Sequence, residues 1–121
     1  MIIGVGTDLI EVGRIKKACM KQAFFERCFT SSERALIGDN YVQAAGNWAV
    51  KESVGKVFGT GISGFDMTDI EVLRDERGKP YINLYNQADV RAKELKIQYM
   101  HVSISNIDNL VIAYVIGESE E

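Results

Sequence analysis

The chain has 121 residues, is 46% apolar and carries a formal net charge of -3, with a pI near 5.2. This length predicts one domain around one core, spanning residues 1–121, and the apolar content excludes a disordered chain. The acidic balance disfavours nucleic-acid binding.

The cysteines and the apolar segments indicate the cellular compartment in which the protein should reside. Cys19 and Cys28 form no C-x-x-C motif and His101 is the sole histidine, so the sequence predicts no zinc site. Reduced thiols are typical of the cytoplasm, where we expect the protein to reside. Residues 1–7 are mostly apolar, but they contain no basic residue and are followed by the acid Asp8. A signal peptide would instead begin with a basic segment, so we do not expect one here. No run approaches the ~20 apolar residues of a membrane span, so we expect no membrane association.

The first half of the chain predicts one strand and several helices. The side chains of residues 2–10 alternate between two faces, which predicts a strand. The pattern of residues 12–29 predicts a helix that is interrupted. Thr30 and Glu33 form a capping box that begins a short helix ending near residues 38–40. Residues 41–58 form the longest predicted helix, which the glycines at residues 59–61 end.

The second half predicts mainly strands. Residues 70–74 and 81–84 are strands joined by a turn, and residues 86–95 are a helix. Residues 98–105 and 110–116 are two further strands; the last is apolar on both faces and should be central. The predicted class is α+β, an antiparallel sheet packed with a long helix and several short helices.

The long helix carries an acid in an unusual place. A helical wheel places Glu52 within an apolar stripe, with Lys56 beside it. Burying an acid on such a face is costly unless something compensates it. Two interpretations remain open: an internal Glu52–Lys56 ion pair, or a metal-binding carboxylate with an ammonium that faces a substrate phosphate.

Asp8 shares its strand face with Gly4 and Gly6. Either a ligand approaches the bare backbone beside the carboxylate, or a helix packs closely on the glycines. Two carboxylates on separate elements suit Mg²⁺, which keeps several waters and accepts phosphate oxygens. Asp8, Glu52 and Lys56 are therefore a coherent set for chemistry on a phosphoanhydride.

Residues 12–27 hold five basic residues against one acidic residue, a local charge of +4. Such a segment either binds an acidic partner or is a solvated helix face. His101, Ser103 and Ser105 share one face of a strand, which is either solvated or in contact with a ligand.

Five segments together resemble the holo-(acyl-carrier-protein) synthases, the small group of 4'-phosphopantetheinyl transferases. They are GTDLIEVGRI at residues 6–15, FTSSE at 29–33, WAVKESVGKVFGTG at 48–61, GKP at 78–80 and HVSIS at 101–105. The resemblance covers nearly the whole chain, and residues 48–61 are its most specific part.

The resemblance implies the fold of that family and a reaction. The 4'-phosphopantetheine arm of coenzyme A moves to a serine of apo-acyl carrier protein, and adenosine 3',5'-bisphosphate leaves. This reaction serves fatty acid biosynthesis. The resemblance implies Mg²⁺ on Asp8 and Glu52, with Lys56 at the pyrophosphate. The nucleophile belongs to the partner protein.

The resemblance also implies a homotrimer with active sites between protomers. The residues implied to hold coenzyme A are Gly59, Thr60, Lys79, Pro80 and His101. Those implied to face the carrier protein are Arg14, Lys17 and Lys21. One departure is Asn47, where the family pattern often has arginine, so a phosphate contact is lost or supplied elsewhere.

Two other functions use the same residues. A small Mg²⁺-dependent phosphohydrolase would turn over coenzyme A or a nucleotide without a protein acceptor. A non-catalytic oligomeric binding module would retain its function after Glu52→Gln.

Overall fold

The structure is a computed structural model that describes residues 1–121. Five helices, a short 3₁₀ turn and five strands follow one another along the chain. The helices are α1 (Val12–Cys19), α2 (Gln22–Cys28), α3 (Ser31–Ile37), α4 (Tyr41–Phe58) and α5 (Asn86–Glu94). The strands are β1 (Ile2–Glu11), β2 (Ile70–Arg74), β3 (Pro80–Leu84), β4 (Tyr99–Ile107) and β5 (Leu110–Glu118), and the 3₁₀ turn is Met67–Asp69. The α+β class is confirmed.

The strands form two antiparallel sheets, a three-stranded one in the order β1-β5-β4 and the hairpin β2-β3. The prediction that β5 is central is confirmed. The strands β4 and β5 each run two residues further than predicted, to Ile107 and Glu118. Asp108 adopts a positive φ of 52°. It therefore closes a two-residue turn, so that Asn106 and Ile107 join the ladder instead of the loop.

The helix α4 packs directly on the glycines of β1. A Cβ at Gly6 would lie 2.0 Å from the Ser53 carbonyl oxygen, and a Cβ at Gly4 would lie 2.7 Å from that of Val57. Both distances are below any real contact. The glycines therefore serve the close approach of strand and helix, and the alternative that they leave space for a ligand is wrong.

The prediction from the helical wheel that Glu52 lies within a buried apolar stripe of α4 is wrong. Most of the helix is buried, and the line that reaches the surface runs through Trp48, Glu52 and Lys56. When a helix is buried on nearly all sides, apolar residues occur all around it, so a helical wheel cannot identify the exposed side. Glu52 lies at the edge of the buried surface, where its carboxylate meets a cavity.

A buried ion pair ties α3 to α4. The Lys51 ammonium lies 2.8 Å from Glu33 Oε1, and both side chains are 0% exposed. Lys51 also donates to the carbonyl oxygens of Met67 and Ile70. The Asn47 amide donates to Glu33 Oε2 and to the Val72 carbonyl oxygen, each at 2.9 Å. Glu33 completes the predicted capping box with Thr30, so this carboxylate is fully engaged.

The cysteines Cys19 and Cys28 are both free and buried in the cluster around α1, α2 and α3. None of the helices combines the length and the apolar character that crossing a membrane requires.

Candidate active site

Asp8 and Glu52 line one cavity between β1, α1 and α4. Asp8 pairs with Ala113 in the sheet and directs its side chain towards α4, which carries Glu52. The cavity measures about 470 Å³. An aromatic contact forms part of its wall, because the Phe24 and Trp48 ring centroids are 5.6 Å apart. Phe24 is not among the predicted site residues, because this contact joins two helices that are distant along the chain.

The electrostatics of the pair favour a cation. Burial raises the pKa of Asp8. Burial and then the charge of Asp8 raise the pKa of Glu52, while Lys56 opposes both shifts. Each carboxylate is therefore held in surroundings that disfavour its charge. Asp8 Oδ2 is buried and has no hydrogen-bond partner. An orphaned carboxylate oxygen beside a second acid is the arrangement that a bound cation relieves.

Lys56 lies on the Asp8 side of the site. Its ammonium donates to the Thr7 carbonyl oxygen at 2.7 Å and lies 4.0 Å from Asp8 Oδ1. No ion pair joins Lys56 to Glu52 within 4.0 Å. The interpretation of Glu52 and Lys56 as an internal pair is therefore wrong. The ammonium is exposed to solvent beside Asp8.

The donor set fits Mg²⁺. No group of three or more His, Cys, Asp or Glu residues comes together in the chain, so this site offers two carboxylates. Magnesium is commonly held by one or two carboxylates and takes its remaining oxygens from water and substrate phosphates. The orphaned Asp8 Oδ2 is the oxygen that such an ion would satisfy.

The predicted basic helix is two helices. Arg14 and Lys17 lie on α1, whereas Lys21 is the N-cap of α2. The chain bends between them because α1 ends at Cys19. Arg14 lines the same cavity as Asp8 and Glu52. A positive surface thus adjoins the carboxylate pair.

The other predicted residues lie elsewhere in the chain. Gly59 ends α4 with a φ of 77°, and Thr60 follows it. Lys79 is exposed in the turn after β2, and Pro80 lines a different cavity. His101 lies on β4, with Nε2 2.8 Å from Glu118 Oε1. His101 lies on the sheet face opposite to Asp8, so one chain does not bring it to the carboxylate pair.

Comparisons with known proteins identify one family. The family model of the 4'-phosphopantetheinyl transferase superfamily matches residues 4–115. The holo-(acyl-carrier-protein) synthase of Lachnoclostridium phytofermentans is 50% identical over 118 residues, covering 98% of this chain and 97% of that protein.

Two solved structures share the fold. The Bacillus anthracis holo-(acyl-carrier-protein) synthase, in complex with CoA (3',5'-ADP), is 35% identical with a TM-score of 0.81, covering 99% of each chain. The Helicobacter pylori synthase, in complex with coenzyme A, is 30% identical with a TM-score of 0.83. It covers 94% of this chain and 99% of that one.

Proposed function

Because the chain belongs to the 4'-phosphopantetheinyl transferase superfamily, we propose that it acts as a holo-(acyl-carrier-protein) synthase. It transfers the 4'-phosphopantetheine arm of coenzyme A to a serine of apo-acyl carrier protein. Adenosine 3',5'-bisphosphate is the other product. The observation that carries the proposal is the Asp8–Glu52 pair, with its orphaned carboxylate oxygen and Lys56 beside it.

Asp8 and Glu52 would hold Mg²⁺, which when bound supplies positive charge to the pyrophosphate oxygens. Lys56 meets the charge that develops on the leaving phosphate, since its ammonium lies 4.0 Å from Asp8 Oδ1. The serine oxygen attacks the β-phosphorus, and the bond between that phosphorus and the bridging oxygen breaks. The serine proton passes to a carboxylate of the pair or to water.

The attacking hydroxyl comes from the partner. The cavity that contains Asp8 and Glu52 is lined by no serine, threonine or cysteine. Ser53, the next residue on α4, is buried and donates its hydroxyl to the Ala49 carbonyl oxygen at 2.7 Å. In this proposal a second protein therefore presents the nucleophile at this opening.

The carrier protein docks beside the cavity in this proposal. Arg14 lies in the cavity wall, and Lys17 and Lys21 are exposed nearby on the basic segment. An acidic carrier would be steered to this surface. The reaction belongs to fatty acid biosynthesis in the cytoplasm.

A homotrimer would bring the remaining residues to the site. The outer face of the β1-β5-β4 sheet exposes several large apolar side chains, mainly from β1 and β5, which is unusual for a protein that acts alone. Its exposed side chains include Val5, Leu9, Ile107, Leu110, Ile112 and Tyr114. We propose that the neighbouring chain covers this face. Gly59, Thr60, Lys79, Pro80 and His101 would then hold coenzyme A at the junction.

The first test measures the mass of an apo-acyl carrier protein after incubation with this protein, coenzyme A and Mg²⁺. We expect the carrier to gain one phosphopantetheine, and EDTA or Asp8→Asn to abolish the gain. A gain that survives both changes would refute the metal site. Turnover of coenzyme A without a carrier would instead identify a phosphohydrolase, and full function of Glu52→Gln would identify a binding module.

A further inference from the structure

Two polar side chains of α4 are buried away from the carboxylate pair. Asn47 and Lys51 are both 0% exposed and lie one helical turn apart, so they share a face of the helix. They are the only residues of α4 whose buried side chains donate hydrogen bonds to other elements. The Ser53 hydroxyl bonds within the helix, and Lys56 is largely exposed.

Both side chains bond to one edge of β2. Asn47 donates to the Val72 carbonyl oxygen at 2.9 Å, and Lys51 donates to the carbonyl oxygen of Ile70. The strand β2 pairs with β3 alone, so these acceptors lie on its free edge. Glu33 completes the contact, because its Oε2 accepts from the Val72 amide at 3.3 Å and from Asn47 at 2.9 Å.

The spacing of the donors on α4 matches the spacing of the acceptors on β2. Four residues of helix rise about 6 Å, and two residues of strand span about 6.6 Å. A shift of α4 by one residue would move the donors about 1.5 Å along the axis and turn them by about 100°. Hydrogen bonds do not survive such a change in length and angle. The network therefore fixes both the axial position and the rotation of α4 relative to β2.

The contact of α4 with β1 is less directional. Gly4 and Gly6 meet the helix backbone through van der Waals contact. The one side-chain hydrogen bond between these elements runs from Lys56 to the Thr7 carbonyl oxygen, and the Lys56 side chain is 55% exposed. Apolar contact is non-directional, so it holds β1 and α4 together without defining their register as sharply as the buried network does.

The ion pair in this network is a poor source of stability. Burial lowers the pKa of the Lys51 ammonium, and Glu33 opposes that shift. The desolvation of two buried charges offsets much of their attraction, and apolar replacements of a whole buried pair are often neutral or stabilising. The best attested use of such a pair is to specify one register among several.

We propose that Asn47 and Lys51 are positioning residues, which fix the axial position and rotation of α4 and thereby hold Glu52 beside Asp8 for Mg²⁺. This inference rests on the proposed function. Glu52 directly follows Lys51, so any movement of the helix displaces its carboxylate. Mg²⁺ demands near-ideal octahedral geometry with oxygens at about 2.0–2.1 Å. A displacement of about 1.5 Å would therefore leave the ion with a single carboxylate.

The test removes the ion pair without leaving a buried charge. The double variant Glu33→Gln with Lys51→Met retains the shape of both side chains, and glutamine at this position also supports the capping box of α3. We expect the metal-free double variant to melt within a few degrees of the wild type in EDTA. Its Kd for Mg²⁺, obtained from the dependence of the melting temperature on Mg²⁺ concentration, should rise about ten- to a hundred-fold. The Mg²⁺ requirement of transfer should rise in parallel, and Asn47→Leu should act in the same direction.

The matched control is Ile37→Val on α3, a buried core change that lowers stability without touching these hydrogen bonds. Its Kd for Mg²⁺ should equal that of the wild type. The positioning role would be overturned by a wild-type Kd in the double variant and in Asn47→Leu, or by an equal rise in Ile37→Val. A double variant that does not fold would also overturn it, because the pair would then serve stability. A wild type that neither responds to Mg²⁺ nor transfers phosphopantetheine would instead overturn the proposed function.

Discussion

Asp8 and Glu52 are two carboxyl groups whose surroundings in the fold disfavour their charge. Burial raises the pKa of both carboxyl groups, and their mutual repulsion adds to the effect on Glu52. The folded chain therefore favours their protonated forms. Above the raised pKa values each ionised group destabilises the metal-free fold, and this effect disappears as the pH falls through them.

Glu52→Gln and Asp8→Asn should therefore raise the melting temperature of the metal-free protein by about one to a few degrees near pH 7. The difference from wild type should shrink as the pH approaches the ordinary glutamate value of 4.5. Calorimetry in EDTA measures this, with the exposed Glu11→Gln as control. Mg²⁺ should stabilise only the wild type. A lower melting temperature for both variants in EDTA would contradict the assignment.

Some residues of the candidate site could be predicted from the sequence, and others could not. Asp8, Glu52 and Lys56 could be selected because the segments that contain them resemble the family, whereas the arguments from an apolar stripe and from bare glycines are wrong. The contact of Asn47 with Glu33 could not be predicted, because it joins two helices through the buried core. Asn47 is fully buried and also donates to the Val72 carbonyl oxygen, so it does not face a ligand.

Among the elements, α4 carries Glu52 into the wall of the candidate site. Its bounds were predictable because its signals are local: Asn40 accepts from the Gln43 amide at the start, and Gly59 adopts the left-handed conformation at the end. Its surroundings were not predictable, because the contacts of Gly4 and Gly6 with α4 join residues about fifty positions apart. The same limit applies to the ion pair of Glu33 and Lys51.

Gly6→Ala should separate β1 from α4. The added methyl would lie 2.0 Å from the Ser53 carbonyl oxygen, a backbone atom that moves only with the helix. We expect a loss of about 1–3 kcal/mol in the free energy of unfolding, measured with urea, and a weaker response to Mg²⁺.

Gly13→Ala on α1 is the matched control, because its methyl would meet only Asn109 Nδ2 at an ordinary 3.6 Å. A Gly6→Ala protein with wild-type stability and transfer rate would show that β1 and α4 need not be in such close contact.

On the scale of the whole molecule, the outer face of the three-stranded sheet remains exposed in a single chain. The strand β5 was predicted to be apolar on both faces. Val111, Ala113 and Val115 on its inner face are completely buried. Ile112 and Tyr114 on its outer face remain 42% and 46% exposed. The pattern of β5 was therefore read correctly, but one chain covers only half of it.

Ile112→Lys should prevent assembly by placing a charge at the centre of this face. We expect a folded monomer by light scattering, with transfer activity lost because no neighbour completes the site. The control Val90→Lys alters an equally exposed apolar residue, 46% accessible, on α5. A fully active monomer would show that one chain suffices.

The buried cysteines have a consequence for the chemistry. Burial raises the pKa of Cys19 to about 11, and burial also raises the pKa of Cys28. At neutral pH only about one Cys19 in ten thousand is a thiolate, the form that attacks disulfides. Coenzyme A and the modified carrier both end in a free thiol. A chain with no reactive sulfur of its own can therefore handle these molecules repeatedly, even in partly oxidised surroundings, without becoming covalently trapped by its substrate or its product.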